Sequence, residues 1–254
     1  MPKPNPMKHT PHVFFSIPNI IPYLLSLLYY IKFTKKGDSM KKLNLTQAKE
    51  LVETLKTSYP DATCSLDFST PFEMVVSVML SAQCTDERVN KTTPAIFAKY
   101  KTPEDFANIE LSTLEALIHP CGFYKNKAKN IKACATKIVN DFHGEVPKTM
   151  EELLTLPGVG RKSANVILLE AFGIANGIAV DTHAKRISNR IGLSKETDPE
   201  KIEQDLLKLF PKETLKDINH LFVWHGRNTC DARKPHCDTC LVNHFCDTHL
   251  SSHE

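Results

Sequence analysis

The sequence predicts an all-α protein, because signals for helix starts and helix stops recur along the chain. Threonine or aspartate followed by proline and an acidic residue is typical of an N-cap and a first helical turn. Apolar residues spaced three or four apart come after these starts, as on the buried face of a helix. No convincing alternation of apolar and polar residues indicates a strand after Met40. We therefore expect about ten helices and an all-helical fold.

The expected helices can be followed along the chain by their start signals. In order, these are Thr70-Pro71 with Glu73, Thr102-Pro103 with Asp105, Ser112 with Glu115, Thr149 with Glu151 and Glu152, and Asp198-Pro199-Glu200. In most of them an acidic residue three positions after the N-cap favours a capping box. Apolar residues at helical spacing follow, for example within 72–80 and 202–210. Gly122, Gly173 and Gly192 lie where helices should end.

The overall charge does not identify the kind of partner. The chain of 254 residues has a formal net charge of +3, but residues 1–39 contain five lysines and one aspartate. The remainder is close to neutral, with 27 basic and 28 acidic residues. Five lysines without an acidic neighbour lie between Lys125 and Lys137, and a solvated helix face is the favoured interpretation of such a run.

Residues 1–39 allow two interpretations. The segment 13–31 is apolar and flanked by lysines, which is consistent with a membrane anchor. Pro18 and Pro22 interrupt it, and proline disfavours a helical anchor. The segment 35–40, "KKGDSM", back-translates to a ribosome-binding sequence before the Met40 codon. We therefore favour translation from Met40, with residues 1–39 a non-native leader or a disordered, apolar extension, and no membrane attachment.

The segment "LPGVGRKSA", residues 156–164, is a candidate DNA-binding element. Leu156 ends one apolar helix pattern, and another begins near Arg161. Gly158 and Gly160 permit positive φ and leave the turn without side chains, so backbone N–H groups of the next helix can reach a phosphate. This is typical of a helix-hairpin-helix, which binds the DNA backbone without reading bases. The alternative is a glycine turn that merely joins two helices.

Lys162 and Asp181 begin successive expected helices. A cation at a helix N-terminus is disfavoured by roughly 0.3–1 kcal/mol, and a nucleophilic lysine must lose its charge. We expect partial burial in a groove to favour the neutral amine further. Asp181 follows the apolar residues 178–180, and its ordinary role would be that of an N-cap. Beside Lys162 it would instead complete a pair of nucleophile and helper carboxylate.

Four of the eight cysteines lie within seventeen residues near the C-terminus. They are Cys230, Cys237, Cys240 and Cys246. Four thiolates suit either zinc or an iron–sulfur cluster. Structural zinc usually has two close cysteine pairs, whereas only one close pair is present here. The spacing also differs from the common ferredoxin patterns. A metal or cluster site in a reducing compartment is thus favoured over a disulfide framework.

These motifs together resemble those of the endonuclease III family, bacterial DNA glycosylases and abasic-site lyases of base excision repair. The resemblance extends from about residue 42 to residue 248. It depends on "SAQCTDERVNK", "GFYKNKAKNI", "LPGVGRKSANV", "AVDTH", "HGRNTC" and the spacing of the four cysteines. It implies two helical domains on either side of a DNA-binding groove. A six-helix barrel with the helix-hairpin-helix would span 64–173, and an iron–sulfur cluster domain would combine 42–60 with 174–250.

The resemblance also implies roles for individual residues. Lys162 matches the catalytic nucleophile and Asp181 the catalytic carboxylate, while the four clustered cysteines match the ligands of a [4Fe–4S] cluster. Gln83 matches the residue that fills the gap left by an extruded base. Phe123 matches a residue, usually leucine, that inserts into the duplex as a wedge. Extrusion is required because a base in the stack shields its C1′ from attack.

The loop between the first two clustered cysteines supplies two further candidates for DNA contact. Arg233 and Lys234 lie in this loop, and a cluster would hold it rigid enough for them to meet phosphates. For the cluster itself, a structural role is favoured over redox catalysis.

The function expected from the sequence is removal of oxidised pyrimidines from double-stranded DNA, followed by strand cleavage at the abasic site. Two alternatives stay open. An adenine-mismatch glycosylase of the same superfamily lacks the lysine at position 162 and has an extra C-terminal domain. A non-catalytic DNA-binding module with a structural metal makes no use of Lys162 and Asp181 together. We expect the protein to be a monomer in the bacterial cytoplasm, associated with the nucleoid.

Overall fold

The computed structural model describes residues 43–252 and is helical throughout that range. The α-helices are α1 Leu45–Ser58, α2 Pro71–Ser81, α3 Asp86–Lys99, α4 Pro103–Asn108, α5 Leu111–Ile118, α6 Tyr124–Phe142, α7 Met150–Leu153, α8 Arg161–Phe172, α9 Thr182–Ile191, α10 Pro199–Leu209, α11 Leu215–Asn228 and α12 Asp247–Ser251. Short 3₁₀ turns lie at 119–121, 212–214, 237–239 and 243–245. The all-α prediction is confirmed. The interpretations of residues 1–39 concern a segment outside the described residues.

Most helix starts lie where the capping signals predict them. The Thr70 hydroxyl accepts a hydrogen bond from the Glu73 backbone N–H, and Thr102 and Asp105 complete a reciprocal capping box. The predicted N-cap at Ser112 is wrong by two residues. Helix α5 begins at Leu111 with Glu110 as an N-cap that makes no side-chain hydrogen bond. The sequence thus predicts helix starts correctly where a side chain caps the helix. It misplaces the start of α5, which has no side-chain cap.

Two hydrophobic clusters form the interior of the described chain. The first contains buried residues between Phe72 and Leu168, including Phe106, and is built by helices α2 to α8. The second combines α1, through Leu51 and Leu55, with residues between 178 and 245. The described chain therefore begins in the second cluster with α1, builds the first cluster with α2 to α8, and then returns to the second. This return brings the start of α8 close to the start of α9.

A buried polar network connects the two clusters beneath the start of α8. The Glu203 carboxylate is nearly inaccessible to solvent and accepts hydrogen bonds from Asn165 Nδ2 at 2.8 Å and the Ile178 backbone N–H at 3.2 Å. Arg161 completes the network with Nε 2.5 Å from Glu203 Oε2. A Cβ at Gly177 would collide with the Asn165 and Glu203 side chains. Glycine is therefore required for the close packing of this connection.

Membrane-spanning length and hydrophobicity can be assessed for residues 43–252. No helix in this range is both long enough and apolar enough to cross a bilayer.

Candidate active site

The glycine turn before α8 packs tightly at one glycine and is open at the other. Gly158 has φ +80°, and a Cβ there would lie 2.7 Å from Met79 Cε and 3.0 Å from Asn130 Cβ. Gly160 has an ordinary extended conformation, and a Cβ there would have no neighbour within 4 Å. Folding therefore explains the glycine at 158, but nothing among residues 43–252 requires one at 160.

The open glycine is also the N-cap of α8. No side chain caps this helix start, so the first N–H groups of α8 lack the usual capping partner. Leu156, by contrast, is only 2% exposed and packs in the first hydrophobic cluster. A direct contact of its side chain with a ligand would require movement of the core. The turn thus presents backbone groups, which suits an anion such as phosphate.

Lys162 and Asp181 line the same cleft, which has a volume of about 710 Å³. Lys162 lies in the first turn of α8, and Asp181 immediately precedes α9. Asp181 is partly buried, and its Oδ1 accepts a hydrogen bond of 2.8 Å from the Ala184 backbone N–H. The N-cap interpretation and the site interpretation of Asp181 are therefore compatible. Capping fixes a carboxylate that still lines the cleft.

Lys162 is exposed rather than partly buried as expected. Arg161, which belongs to the candidate DNA-binding segment, forms the ion pair with Glu203. The positive charge next to Lys162 is thus balanced by a buried carboxylate. Any burial of the Lys162 amine has to come from a ligand that covers the cleft.

The wall of the cleft contains polar pairs that sequence reasoning missed. His220 Nε2 lies 2.9 Å from Glu170 Oε1. At the rim, Arg227 Nη2 donates to Asp86 Oδ2 at 2.9 Å and connects α11 with α3. Each pair joins residues far apart in sequence. The arginine lies within the motif "HGRNTC", but no local signal identified its partner.

His183, two residues after Asp181, is a further cleft residue that sequence reasoning missed. Burial is the main cause that lowers its pKa from the ordinary value, and the nearby Arg186 and Arg227 lower it as well. The nearby Asp181 opposes this lowering of the pKa, and the net shift favours the neutral imidazole. Its Nδ1 lies 3.1 Å from Arg186 Nη2. It can contribute a hydrogen-bonding group to the cleft.

Gln83 and Phe123 have strained backbones and are exposed. Their φ values are +52° and +47°, and His143 is the only other non-glycine residue with positive φ among residues 43–252. Phe123 has 64% of its surface exposed. A bulky residue at positive φ is uncommon, and such strain concentrates at functional sites. Both residues are therefore held in conformations that local preferences do not explain.

The lysine run in α6 is only in part the solvated face that its sequence suggested, because Lys125 and Lys129 are exposed whereas the other three are held by the protein. Lys127 is buried, and Lys132 donates hydrogen bonds of 2.6 Å to the carbonyl oxygens of Ala107 and Ile109. Lys137 pairs with Asp141. The solvated interpretation is wrong for Lys127 and Lys132, because a long lysine side chain can bring its ammonium to carbonyl groups of neighbouring segments.

The four clustered cysteines line one small cavity together with His225. None of them forms a disulfide. Among residues 43–252, no three histidine, cysteine, aspartate or glutamate side chains converge closely enough for a single ion. A tetrahedral zinc site needs such convergence, whereas the cysteines of a [4Fe–4S] cluster bind different irons. The donor set and its spacing therefore fit the cluster better than zinc.

Burial disfavours the negatively charged thiolate form of these cysteines, so thiolates here need a positive charge close by. It raises the pKa of the Cys240 thiol to about 11 and raises the pKa of Cys246 as well. Bound metal overcomes this cost, because coordination deprotonates the thiol. Arg190 adds a positive charge, with Nη1 donating to Cys230 Sγ at 3.3 Å. The surroundings thus suit thiolates that are bound to metal.

Arg190 also fixes the loop that contains Arg233 and Lys234. Its guanidinium donates to the carbonyl oxygens of Asp231 at 2.6 Å and Ala232 at 2.8 Å. Both candidate contact residues are exposed. The loop is therefore held by side chain–backbone hydrogen bonds in addition to its flanking cysteines, and its two cations face solvent.

Two family models and a curated relative match this chain. The family described as "HhH-GPD superfamily base excision DNA repair protein" matches residues 76–212, and "Iron-sulfur binding domain of endonuclease III" matches residues 230–246. Endonuclease III of Synechocystis sp. is 52% identical over 206 residues, covering 81% of this chain and 94% of the relative.

Two solved structures are similar over most of the chain. A non-covalent endonuclease III–DNA complex has a TM-score of 0.78 at 40% identity and covers 83% of this chain and 99% of its own. A trapped endonuclease III–DNA covalent intermediate, in an estranged-adenine complex, also has a TM-score of 0.78. Its identity is 39%, and it covers 84% of this chain and 100% of its own.

Proposed function

The chain belongs to the endonuclease III family of base excision repair enzymes, and we propose that Lys162 and Asp181 perform its glycosylase and abasic-site lyase reactions. The observation that supports this assignment is that both side chains line one cleft, each at the start of a helix. The fixed helix starts provide a nucleophile and a carboxylate at a stable separation.

The reaction begins when the neutral Lys162 amine attacks C1′ of the damaged nucleotide. The C1′–N bond breaks, and the base leaves with the bonding electrons and takes up a proton. The amine nitrogen then loses a proton, and the C1′–O4′ bond breaks as O4′ takes up a proton, which gives a protonated Schiff base between Lys162 and C1′. Removal of a 2′ proton then forms the C2′–C3′ double bond, and the C3′–O bond breaks as the phosphate leaves. Water hydrolyses the Schiff base and restores the lysine.

Asp181 assists this sequence without forming a bond to the sugar. Its carboxylate stabilises positive charge that develops on the sugar as the base departs. It also assists transfer of the protons that the amine and the sugar release. The hydrogen bond to Ala184 keeps the carboxylate in place during these steps.

The remaining candidate residues are proposed to hold and deform the duplex. The backbone of Gly158 and Gly160 binds phosphate, and Arg233 and Lys234 contact the backbone elsewhere. Phe123 inserts as the wedge, and Gln83 fills the gap of the extruded base. For Leu156 and Arg161 we propose a supporting part, because Leu156 is buried and Arg161 is paired with Glu203.

Gly160→Ala separates phosphate binding from folding. The added methyl group meets no atom within 4 Å in the described part of the chain, so the unfolding free energy should change by less than about 1 kcal/mol. If phosphate approaches this backbone, affinity for a duplex with an abasic-site analogue should fall about tenfold, the loss of one charged hydrogen bond.

Gly158→Ala is the matched comparison, since its methyl group collides with Met79 and Asn130. It should lower the unfolding free energy by at least about 1 kcal/mol. Thermal unfolding and fluorescence anisotropy measure the two quantities. If folded Gly160→Ala bound DNA as tightly as the wild type, the turn would make no close phosphate contact at residue 160.

The protein holds a [4Fe–4S] cluster, for which we propose Cys230, Cys237, Cys240 and Cys246 as ligands. The cluster supplies covalent cross-links among residues that otherwise have only short 3₁₀ turns. Its proposed role is structural, to order the loop with Arg233 and Lys234. We further propose that the two hydrophobic clusters correspond to a six-helix barrel at 64–173 and a cluster domain of 42–60 with 174–250, separated by the DNA-binding groove.

The protein acts on DNA, and we propose oxidised pyrimidines in duplex DNA and abasic sites as its substrates. The proposed working form is a monomer in the bacterial cytoplasm, at the nucleoid. Strand cleavage across duplexes with thymine glycol, an adenine–guanine mismatch or a preformed abasic site tests the substrate class. We expect cleavage of the first and third, with at least tenfold preference over the mismatch. Binding without cleavage of any duplex would indicate a non-catalytic DNA-binding module instead.

A further inference from the structure

Lys127 is a buried cation, and its hydrogen-bond partners lie close in sequence to Gln83 and Phe123, the two exposed residues with strained backbones. It is 7% exposed, and its Nζ donates to the carbonyl oxygens of Leu80 at 2.7 Å and Cys121 at 2.8 Å. Among residues 43–252, no carboxylate forms an ion pair with it. Burial of an unpaired ammonium opposes folding, so a purely packing role would be better served by a neutral side chain.

The first partner lies at the end of α2. Leu80 is in the last turn of this helix, which contains no basic residue of its own, and the C-cap Ala82 is not left-handed. The carbonyl oxygens of a last helical turn lack helical partners and attract positive charge. Lys127 supplies that charge from α6. Gln83, at φ +52°, follows Leu80 by three residues.

The second partner lies before Phe123. Cys121 ends the 3₁₀ turn at 119–121, and Gly122 and Phe123 then both have positive φ. The backbone N–H of Lys127 donates to the Phe123 carbonyl oxygen at 3.1 Å. Lys127 therefore holds the chain on both sides of Gly122, at the Cys121 and Phe123 carbonyl oxygens. The ammonium that binds Cys121 also binds the end of α2.

We infer that Lys127 is a positioning residue that fixes Gln83 and Phe123 relative to each other for insertion into duplex DNA. A wedge and a gap-filling residue must enter a duplex at a set separation, and flexible loops would have to be ordered during each encounter. The shared ammonium orders both loops in advance. This inference rests on the proposed roles of Gln83 and Phe123, but its effect on the free protein can be measured separately.

Lys127→Met removes both hydrogen bonds and keeps most of the side-chain volume. Lys132→Met is the matched control, because Lys132 lies on the same helix and also holds two carbonyl oxygens, those of Ala107 and Ile109. Hydrogen exchange of the free proteins is the first measurement. We expect peptides over 81–85 and 121–124 to exchange about tenfold faster in Lys127→Met, while Lys132→Met accelerates only the region of 107–110.

The second measurement compares base removal in duplex DNA with strand cleavage at a preformed abasic site. Lys127→Met should lower the ratio of the two rates about tenfold, the equivalent of one charged hydrogen bond, whereas Lys132→Met should stay within about twofold. If Lys127→Met does not fold, Lys127→Gln takes its place, since the shorter amide cannot span both carbonyl oxygens. Lys127→Arg should restore much of the ratio, because a guanidinium can donate to both.

The outcomes distinguish this inference from the proposed function. Unchanged exchange in either of the two loop peptides would overturn the positioning role, whatever the activity. Exchange that increases in both while the rate ratio stays at the wild-type value would also overturn it. A wild-type protein without any activity on lesion DNA would contradict the proposed function, while the exchange experiment would still decide whether Lys127 couples the loops.

Discussion

Lys162→Gln is expected to abolish covalent trapping of the protein on lesion DNA by borohydride. Reduction captures only a Schiff base, and glutamine has no amine that forms one. Strand cleavage should fall by at least about 10³-fold, because removal of a nucleophile removes the pathway and not a single contact. Binding to a duplex with an abasic-site analogue should stay within about tenfold, since phosphate contacts elsewhere supply most of the affinity.

Lys185→Gln is the matched control for this experiment. Lys185 lines the same cleft, and its Nζ donates to the Thr197 carbonyl oxygen at 2.6 Å. Loss of this lysine removes a positive charge from the cleft but leaves the proposed nucleophile in place, so trapping should persist. Gel electrophoresis after borohydride reduction measures both variants. Trapping of Lys162→Gln at the wild-type rate would show that another amine is the nucleophile.

Asp181→Asn is expected to slow base release by about 10²-fold or more, because a neutral amide stabilises the cationic sugar much less than a carboxylate does. The protein should remain folded, since asparagine is as good an N-cap as aspartate and can still accept from the Ala184 N–H. Trapping on a preformed abasic site should persist at a reduced rate, because Lys162 is intact. Single-turnover kinetics on the two substrates measure this difference.

Asp198→Asn repeats the same substitution at an N-cap of α10. Asp198 accepts from the backbone N–H groups of Glu200 and Lys201, as an ordinary capping residue does. Its replacement should leave both rates close to those of the wild type. If both rates fell equally in Asp181→Asn and Asp198→Asn, Asp181 would act only as an N-cap. The catalytic carboxylate would then have to be another residue.

The sequence by itself determined the helical class, most helix starts and the candidate chemistry. Capping signals are local, because a side chain at an N-cap bonds to N–H groups two or three residues away. Thr70 and Thr102 were therefore predicted correctly. The glycine turn, Lys162, Asp181 and the four cysteines were likewise visible as short motifs whose residue types restrict their chemistry.

Only the tertiary structure decided which charged side chains are free and which are held. Arg161 belongs to the candidate DNA-binding segment but pairs with Glu203, 42 positions away. Lys127 looked solvated but is buried against carbonyl oxygens at the end of α2 and of the 3₁₀ turn at 119–121. Lys162 looked partly buried but is exposed. The physical reason is that burial and ion pairing depend on segments distant in sequence that packing brings together. Local patterns define the helices and the reactive groups, while the packing of the two hydrophobic clusters defines their surroundings.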